Sequence, residues 1–112
     1  MPIYYWHTTF IKIEMNSVFI LFISCVLDNL IINENCFELH FVNTVIKNID
    51  INRMGKNYKS ISLIFEHMEK SDIDEHSMKQ FKEIIKARNL SLNDNFHFEE
   101  CDWLKEELSR LD

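Results

Sequence analysis

The chain has almost no glycine or proline. In 112 residues Gly55 and Pro2 are the only ones. Phosphate-binding loops and the sharp turns that hold nucleophilic serines need several glycines, because only glycine adopts their tight backbone without steric cost. The sequence therefore excludes a glycine-rich nucleotide loop or a nucleophile elbow. Turns are instead predicted at Asn and Asp residues, which tolerate left-handed backbone and hydrogen-bond their own main chain.

Net charge is absent from more than half of the chain. Residues 1–65 hold five acids and five bases, whereas residues 66–112 hold 13 acids and 7 bases, so the last 47 residues carry the whole net charge of −6. Net charge governs association rather than fold, and this layout indicates a basic protein partner. Direct binding to nucleic acid is disfavoured, because a negative protein is repelled by phosphates.

Paired cysteines are also missing. Cys25, Cys36 and Cys101 are odd in number and lack CxxC spacing, which favours reduced thiols and a cytoplasmic location. His97 and Cys101 are four residues apart, a spacing that metal ligands use on helices, but no second short-spaced pair accompanies them. We therefore expect no metal, no other cofactor and no catalytic residues, so the chain is predicted not to be an enzyme.

A long apolar run is lacking too. Val18 to Leu27 is apolar except for Ser24, yet it has half of the roughly 20 residues that span a bilayer. It is interpreted as a buried element and predicts no membrane association. Whether residues 18–32 form strand or helix stays open, and a signal peptide beginning at Met15 is the alternative interpretation.

The periodicity of apolar residues changes near Phe65. Before that point the apolar residues alternate with polar ones, which predicts strands at Thr9 to Met15, Phe37 to Phe41 and Tyr58 to His67. After it a 3.6-residue period predicts one helix from a capping box at Ser71 to Arg88 and another from about Glu99 to Leu111. No internal repeat is expected. We therefore predict one α+β domain over residues 1–112, a strand-rich N-terminal half with an antiparallel or mixed sheet packed by two C-terminal helices.

Trp103 stands out on the second predicted helix. It projects about 115° from the seam of Cys101, Leu104, Leu108 and Leu111, at 100° per residue, so it is either a free aromatic anchor or an indole on the core margin. Aromatic residues are enriched in binding hot spots. The predicted partner-binding residues are this tryptophan and the acidic side chains of the C-terminal half: Glu66, Glu69, Asp72, Asp74, Glu75, Glu99, Asp102, Trp103, Glu106 and Glu107.

In size, acidity, richness in asparagine and isoleucine and lack of a catalytic motif, the chain resembles the immunity proteins of bacterial contact-dependent growth inhibition and related polymorphic toxin systems. Those are small, acidic, cytosolic proteins of varied fold that bind and neutralise toxin nuclease domains. The resemblance implies a stoichiometric inhibitor whose acidic surface covers the basic groove of a toxin nuclease. It transfers no residue roles. Two other hypotheses stay open: a small enzyme or metal protein that uses Cys101 and histidines, and a viral or secreted host-interaction module with Val18 to Leu27 as a membrane-directed remnant.

Overall fold

The computed structural model describes residues 2–111, which form eight strands and two helices. Helix α1 is Glu75–Arg88 and helix α2 is Asp102–Ser109, and a short 3-10 turn at Lys70–Asp72 precedes α1. The strands are β1 (Pro2–Trp6), β2 (Thr9–Met15), β3 (Phe19–Ile23), β4 (Val26–Ile32), β5 (Glu38–Val42), β6 (Val45–Lys47), β7 (Ser62–Glu66) and β8 (Phe96–Glu99). None of the helices in residues 2–111 has the length and hydropathy needed to cross a bilayer.

The strands form two sheets in which every pairing is parallel. One sheet has the order β1-β3-β5-β7-β8, and the other has the order β2-β4-β6. The predicted antiparallel or mixed sheet is therefore wrong. Alternation of apolar and polar residues reports which face of a strand is buried and carries no information on strand direction. The chain moves from one sheet to the other and back, so it builds stacked coils instead of hairpins.

An aromatic ladder runs through the five-stranded sheet. Tyr5, Phe22, Phe41, Phe65 and Phe98 occupy the same register position in successive strands. Their ring centroids are 5.8, 5.7, 5.4 and 5.9 Å apart along the series. Phe81 from α1 meets Phe65 edge-on at 5.3 Å. The ladder therefore joins the stacked coils and the first helix into one core.

The coils turn at equivalent corners. The second residue after each ladder position has left-handed backbone, at His7, Ser24, Asn43, His67 and Glu100. The next side chain points inward, and those of Cys25, Thr44 and Cys101 donate to the carbonyl of the ladder aromatic in the preceding strand, at 3.5, 3.3 and 3.3 Å. The chain thus does contain an internal repeat. An apolar residue is followed two positions later by the ladder aromatic, and three positions after the aromatic comes the side chain that follows the left-handed corner residue.

The repeat escapes sequence analysis because its spacing grows along the chain. The ladder aromatics at positions 5, 22, 41, 65 and 98 are separated by 17, 19, 24 and 33 residues. The last insertion contains α1. The ambiguous run of residues 18–32 proves to be strand: it forms β3 and β4, with the corner at Ser24 between them.

Candidate partner-binding groove

A surface groove of about 420 Å³ lies between the start of α1 and α2. It brings together predicted binding residues from the start of α1 and from α2, where Glu75 and Trp103 are 28 positions apart in the sequence. We call it the acidic groove. Its lining residues are Lys70, Ile73, Asp74, Glu75, Met78, Trp103, Glu106, Glu107 and Arg110.

The floor of the acidic groove is apolar and fixed. Ile73 is buried, and Met78 and Trp103 are partly buried against the core. The indole N–H of Trp103 donates to the carbonyl of Met68 at 2.6 Å. Trp103 therefore lies on the core margin, the second of its two interpretations, and presents the rest of its ring to the groove.

The rim of the acidic groove is partly neutralised. Arg110 lies 2.8 Å from Glu106 and 3.4 Å from Glu107, and Lys82 lies 3.1 Å from the other oxygen of Glu107. Glu75 is exposed, and the described residues place no cation within ion-pair distance of it. The Arg110–Glu106 pair is exposed on both sides, and such pairs contribute little to stability. Glu106 can therefore exchange Arg110 for an incoming Lys or Arg.

Asp74 has a structural role at the edge of the groove. It is the N-cap of α1: one carboxylate oxygen accepts from the Ser77 backbone N–H at 2.8 Å and the other accepts from the Asn48 backbone N–H at 3.1 Å. Burial alone would raise the pKa of Asp74, but these hydrogen bonds outweigh burial and hold the pKa below its ordinary value. The predicted capping box at Ser71 is wrong, because Glu69 and Asp72 form such a box around the 3-10 turn instead.

We expect Asp74→Ala to lower the free energy of unfolding by about 1 kcal/mol at pH 7, the usual cost of losing an N-cap. The folded-state pKa is depressed, so the stabilisation is complete above the unfolded pKa of about 3.9 and is lost as pH falls through the folded value. Urea unfolding at pH 7 and near pH 3 measures both effects. Asp74→Asn, which keeps a capping oxygen, should retain most of the stability at pH 7; equal stability of wild type and Asp74→Ala at pH 7 would contradict the capping role.

The other predicted binding residues do not line this groove. Glu66 and Glu99 lie on the outward face of the five-stranded sheet, where Glu66 is 3.1 Å from His40 and Glu99 is 3.5 Å from His97. Glu69 and Asp72 are occupied in the 3-10 turn. Asp102 borders a different hollow, beside His97 and Lys105. The ten predicted residues therefore divide among several surfaces, and the groove unites five of them: Asp74, Glu75, Trp103, Glu106 and Glu107.

Ile73, Met78 and the cations of the groove, Lys70 and Arg110, are not among the predicted binding residues. Ile73 and Met78 fit the 3.6-residue apolar period and so carry no sign of a surface role, and nothing in the sequence places Lys70 or Arg110 in the same groove as Glu75. The position of Arg110 four residues after Glu106 was the one available signal, since i,i+4 pairs are neighbours on a helix.

The environment of the cysteines bears on the enzyme and metal-protein hypotheses. All three thiols are buried and unpaired. Burial raises the pKa of Cys36 to about 12 and also raises the pKa of Cys101. Both thiols are therefore protonated near neutral pH, whereas nucleophiles and metal ligands need the thiolate. Residues 2–111 contain no group of three or more His, Cys, Asp or Glu side chains that could hold a metal ion.

The sequence matches no protein-family model, no curated protein and no solved structure.

Proposed function

We propose that the chain is a stoichiometric binding protein for a basic protein partner, and that it acts without turnover of its own. The observation that carries this proposal is the acidic groove, in which an apolar floor is bordered by carboxylates from the start of α1 and from α2. A fixed apolar floor with a charged rim is the anatomy of a binding hot spot. A basic side chain fits it, with its aliphatic stem against Met78 and Trp103 and its charged end at Glu75.

The mechanism is occupation of the partner's surface. The net charge of −6 steers a basic partner towards the acidic C-terminal half, and the groove then holds one of its Lys or Arg side chains. Steering chiefly raises the association rate, whereas the desolvated contacts at the floor set the dissociation rate. No reaction is needed for such a protein to act, because covering a functional surface is sufficient.

In its more specific form, the proposal is that the chain is a cytoplasmic immunity protein, and that it covers the basic nucleic-acid groove of a toxin nuclease domain. The neutral first half and acidic second half, and the groove on the acidic half, support this assignment. The enzyme or metal-protein alternative is disfavoured by the buried, protonated thiols. The host-interaction alternative is disfavoured because Val18 to Leu27 supplies core strands, with Phe22 and Leu27 fully buried.

The test is inhibition at a fixed ratio. The tagged protein is used to isolate its partner from the source cells, the partner is identified, and its nuclease activity is titrated with the purified chain. The proposal expects a basic nuclease whose activity falls linearly to zero at one equivalent of inhibitor. An acidic partner, or a partner that the chain chemically modifies, would contradict the binding function; a basic partner with no nuclease activity would contradict only the immunity assignment.

A further inference from the structure

Within the described residues, strand β1 of the first coil is an edge strand of the five-stranded sheet. Within residues 2–111, β1 has a neighbouring strand on one side only, β3. Both helices lie at the other end, where α2 packs near β8. Tyr4 and Trp6 on β1 are 70% and 63% exposed. Among the large apolar side chains of the described residues, only Ile11, at 65%, is comparably exposed. An open edge with exposed aromatics is a template for pairing with another strand.

The hydrogen-bonding groups of this edge can be assigned. The His7 N–H donates to the Ile23 carbonyl on β3. Because backbone groups of successive residues in a strand point to opposite sides, His7, Tyr5 and Ile3 face β3. Pro2, Tyr4 and Trp6 therefore face the open side. The groups offered there are the N–H of Tyr4 and Trp6 and the carbonyls of Pro2 and Tyr4, since the Trp6 carbonyl already accepts from the Thr8 hydroxyl at 3.0 Å.

We propose that two copies of the chain pair through β1, antiparallel across a two-fold axis at Tyr4. In this register the Tyr4 N–H of each copy donates to the Tyr4 carbonyl of the second copy, and each Trp6 N–H donates to the opposite Pro2 carbonyl. Pro2 lacks an N–H, and it falls opposite Trp6, whose carbonyl needs no second donor. Every free group of the edge is thereby satisfied.

The same register continues the core. Side chains of residues directly opposite each other lie on the same face of a sheet, so Ile3 faces Tyr5 of the second copy on the inward side. Ile3 and Tyr5 are partly buried against the core. In this register each also packs against an apolar side chain of the second copy. On the outward side the two exposed Tyr4 rings meet.

Charge favours this end of the molecule for self-association. Residues 1–65 carry no net charge, whereas residues 66–112 carry −6. Four inter-strand steps of about 4.8 Å separate β1 from β8, so pairing through β1 keeps the acidic halves apart. Proline and lysine on an edge strand prevent pairing in many proteins, and the first coil contains Pro2 and Lys12. Here Pro2 is compatible with the register, and Lys12 lies on β2, outside the paired strand.

Sedimentation equilibrium over roughly 5 to 500 µM, the range in which small interfaces associate, tests the proposal. We expect a reversible dimer that Tyr4→Lys converts to a monomer, because two lysines then face each other at the two-fold axis. The matched control is Tyr58→Lys, which changes an exposed tyrosine away from this edge and should leave the dimer intact. Circular dichroism confirms that both variants fold.

Amide hydrogen exchange supplies a second measurement. The amides of Tyr4 and Trp6 should become protected as the concentration rises, whereas the His7 amide should be protected at every concentration through its bond to Ile23. A protein that stays monomeric over the whole range, a Tyr4→Lys variant that still dimerises, or Tyr4 and Trp6 amides that exchange independently of concentration would overturn the proposal.

Discussion

Replacing Phe65 with alanine is expected to lower the free energy of unfolding by about 4 kcal/mol, the range for deleting a buried phenylalanine. Phe65 is fully buried at the centre of the aromatic ladder. Its ring lies 5.4 Å from that of Phe41, 5.9 Å from that of Phe98 and 5.3 Å from that of Phe81. Alanine would leave a cavity between two coils and α1, and none of these neighbours can fill it without breaking the strand register.

The control for this prediction is Phe37→Ala. Phe37 is partly exposed, lies outside the ladder and contacts Tyr58 at 5.1 Å. The same atoms are removed, but the site opens to solvent, so we expect a loss of about 1 kcal/mol or a little more. Urea unfolding followed by circular dichroism measures both variants. Equal losses for the two, or a Phe65→Ala loss below that of Phe37→Ala, would contradict the ladder as the centre of the core.

Gly55→Ala is the second large effect, expected to cost about 3 kcal/mol through steric overlap and left-handed backbone combined. Gly55 has φ +64°, and an added Cβ would lie 2.1 Å from Ile61 Cγ2 and 3.2 Å from the Cys36 carbonyl oxygen. Ile61 is 4% exposed and its Cγ2 is attached directly to Cβ, so this methyl group cannot swing aside.

A double-mutant cycle with Ile61→Ala separates the steric part of this cost. Ile61→Ala removes the clashing methyl group, so the double variant should be more stable than the sum of the two single losses predicts, by about 1 to 2 kcal/mol. Thermal and urea unfolding of the four proteins give the coupling energy. Strictly additive losses would show that Ile61 does not confine Gly55.

The sequence predicts the elements better than their arrangement. The 3.6-residue period predicted that α1 ends at Arg88, and in the structure Asn89 follows it as the left-handed C-cap. Alternation predicted β2, but its faces differ from expectation: Lys12 has φ 53° and breaks the alternation, so Ile11 is 65% exposed while Met15 is buried. Sheet direction was not predictable, because strand pairing depends on where each coil returns and the alternation of side chains does not report this.

The groove was predictable only in part. The charge partition pointed to the acidic half, and the periodicity of α2 marked Trp103. The approach of Glu75 to Trp103 depends on β8, which brings the chain back beside β7 after α1 and so sets where α2 begins. The neutralising contacts of Arg110 and Lys82 depend on the same packing, and they leave Glu75 as the exposed rim carboxylate without an ion pair in the described chain.

The most direct test of the acidic groove as the binding site is the association rate of the isolated partner with Glu75→Lys and with Asp94→Lys. Both substitutions reverse one exposed carboxylate and change the net charge equally, but Asp94 lies in a turn outside the groove. If the groove binds the partner, Glu75→Lys should slow association about tenfold at low salt and Asp94→Lys by much less, with the difference shrinking as salt rises. Equal rates for the two variants, or rates indifferent to salt, would contradict the groove as the site of binding.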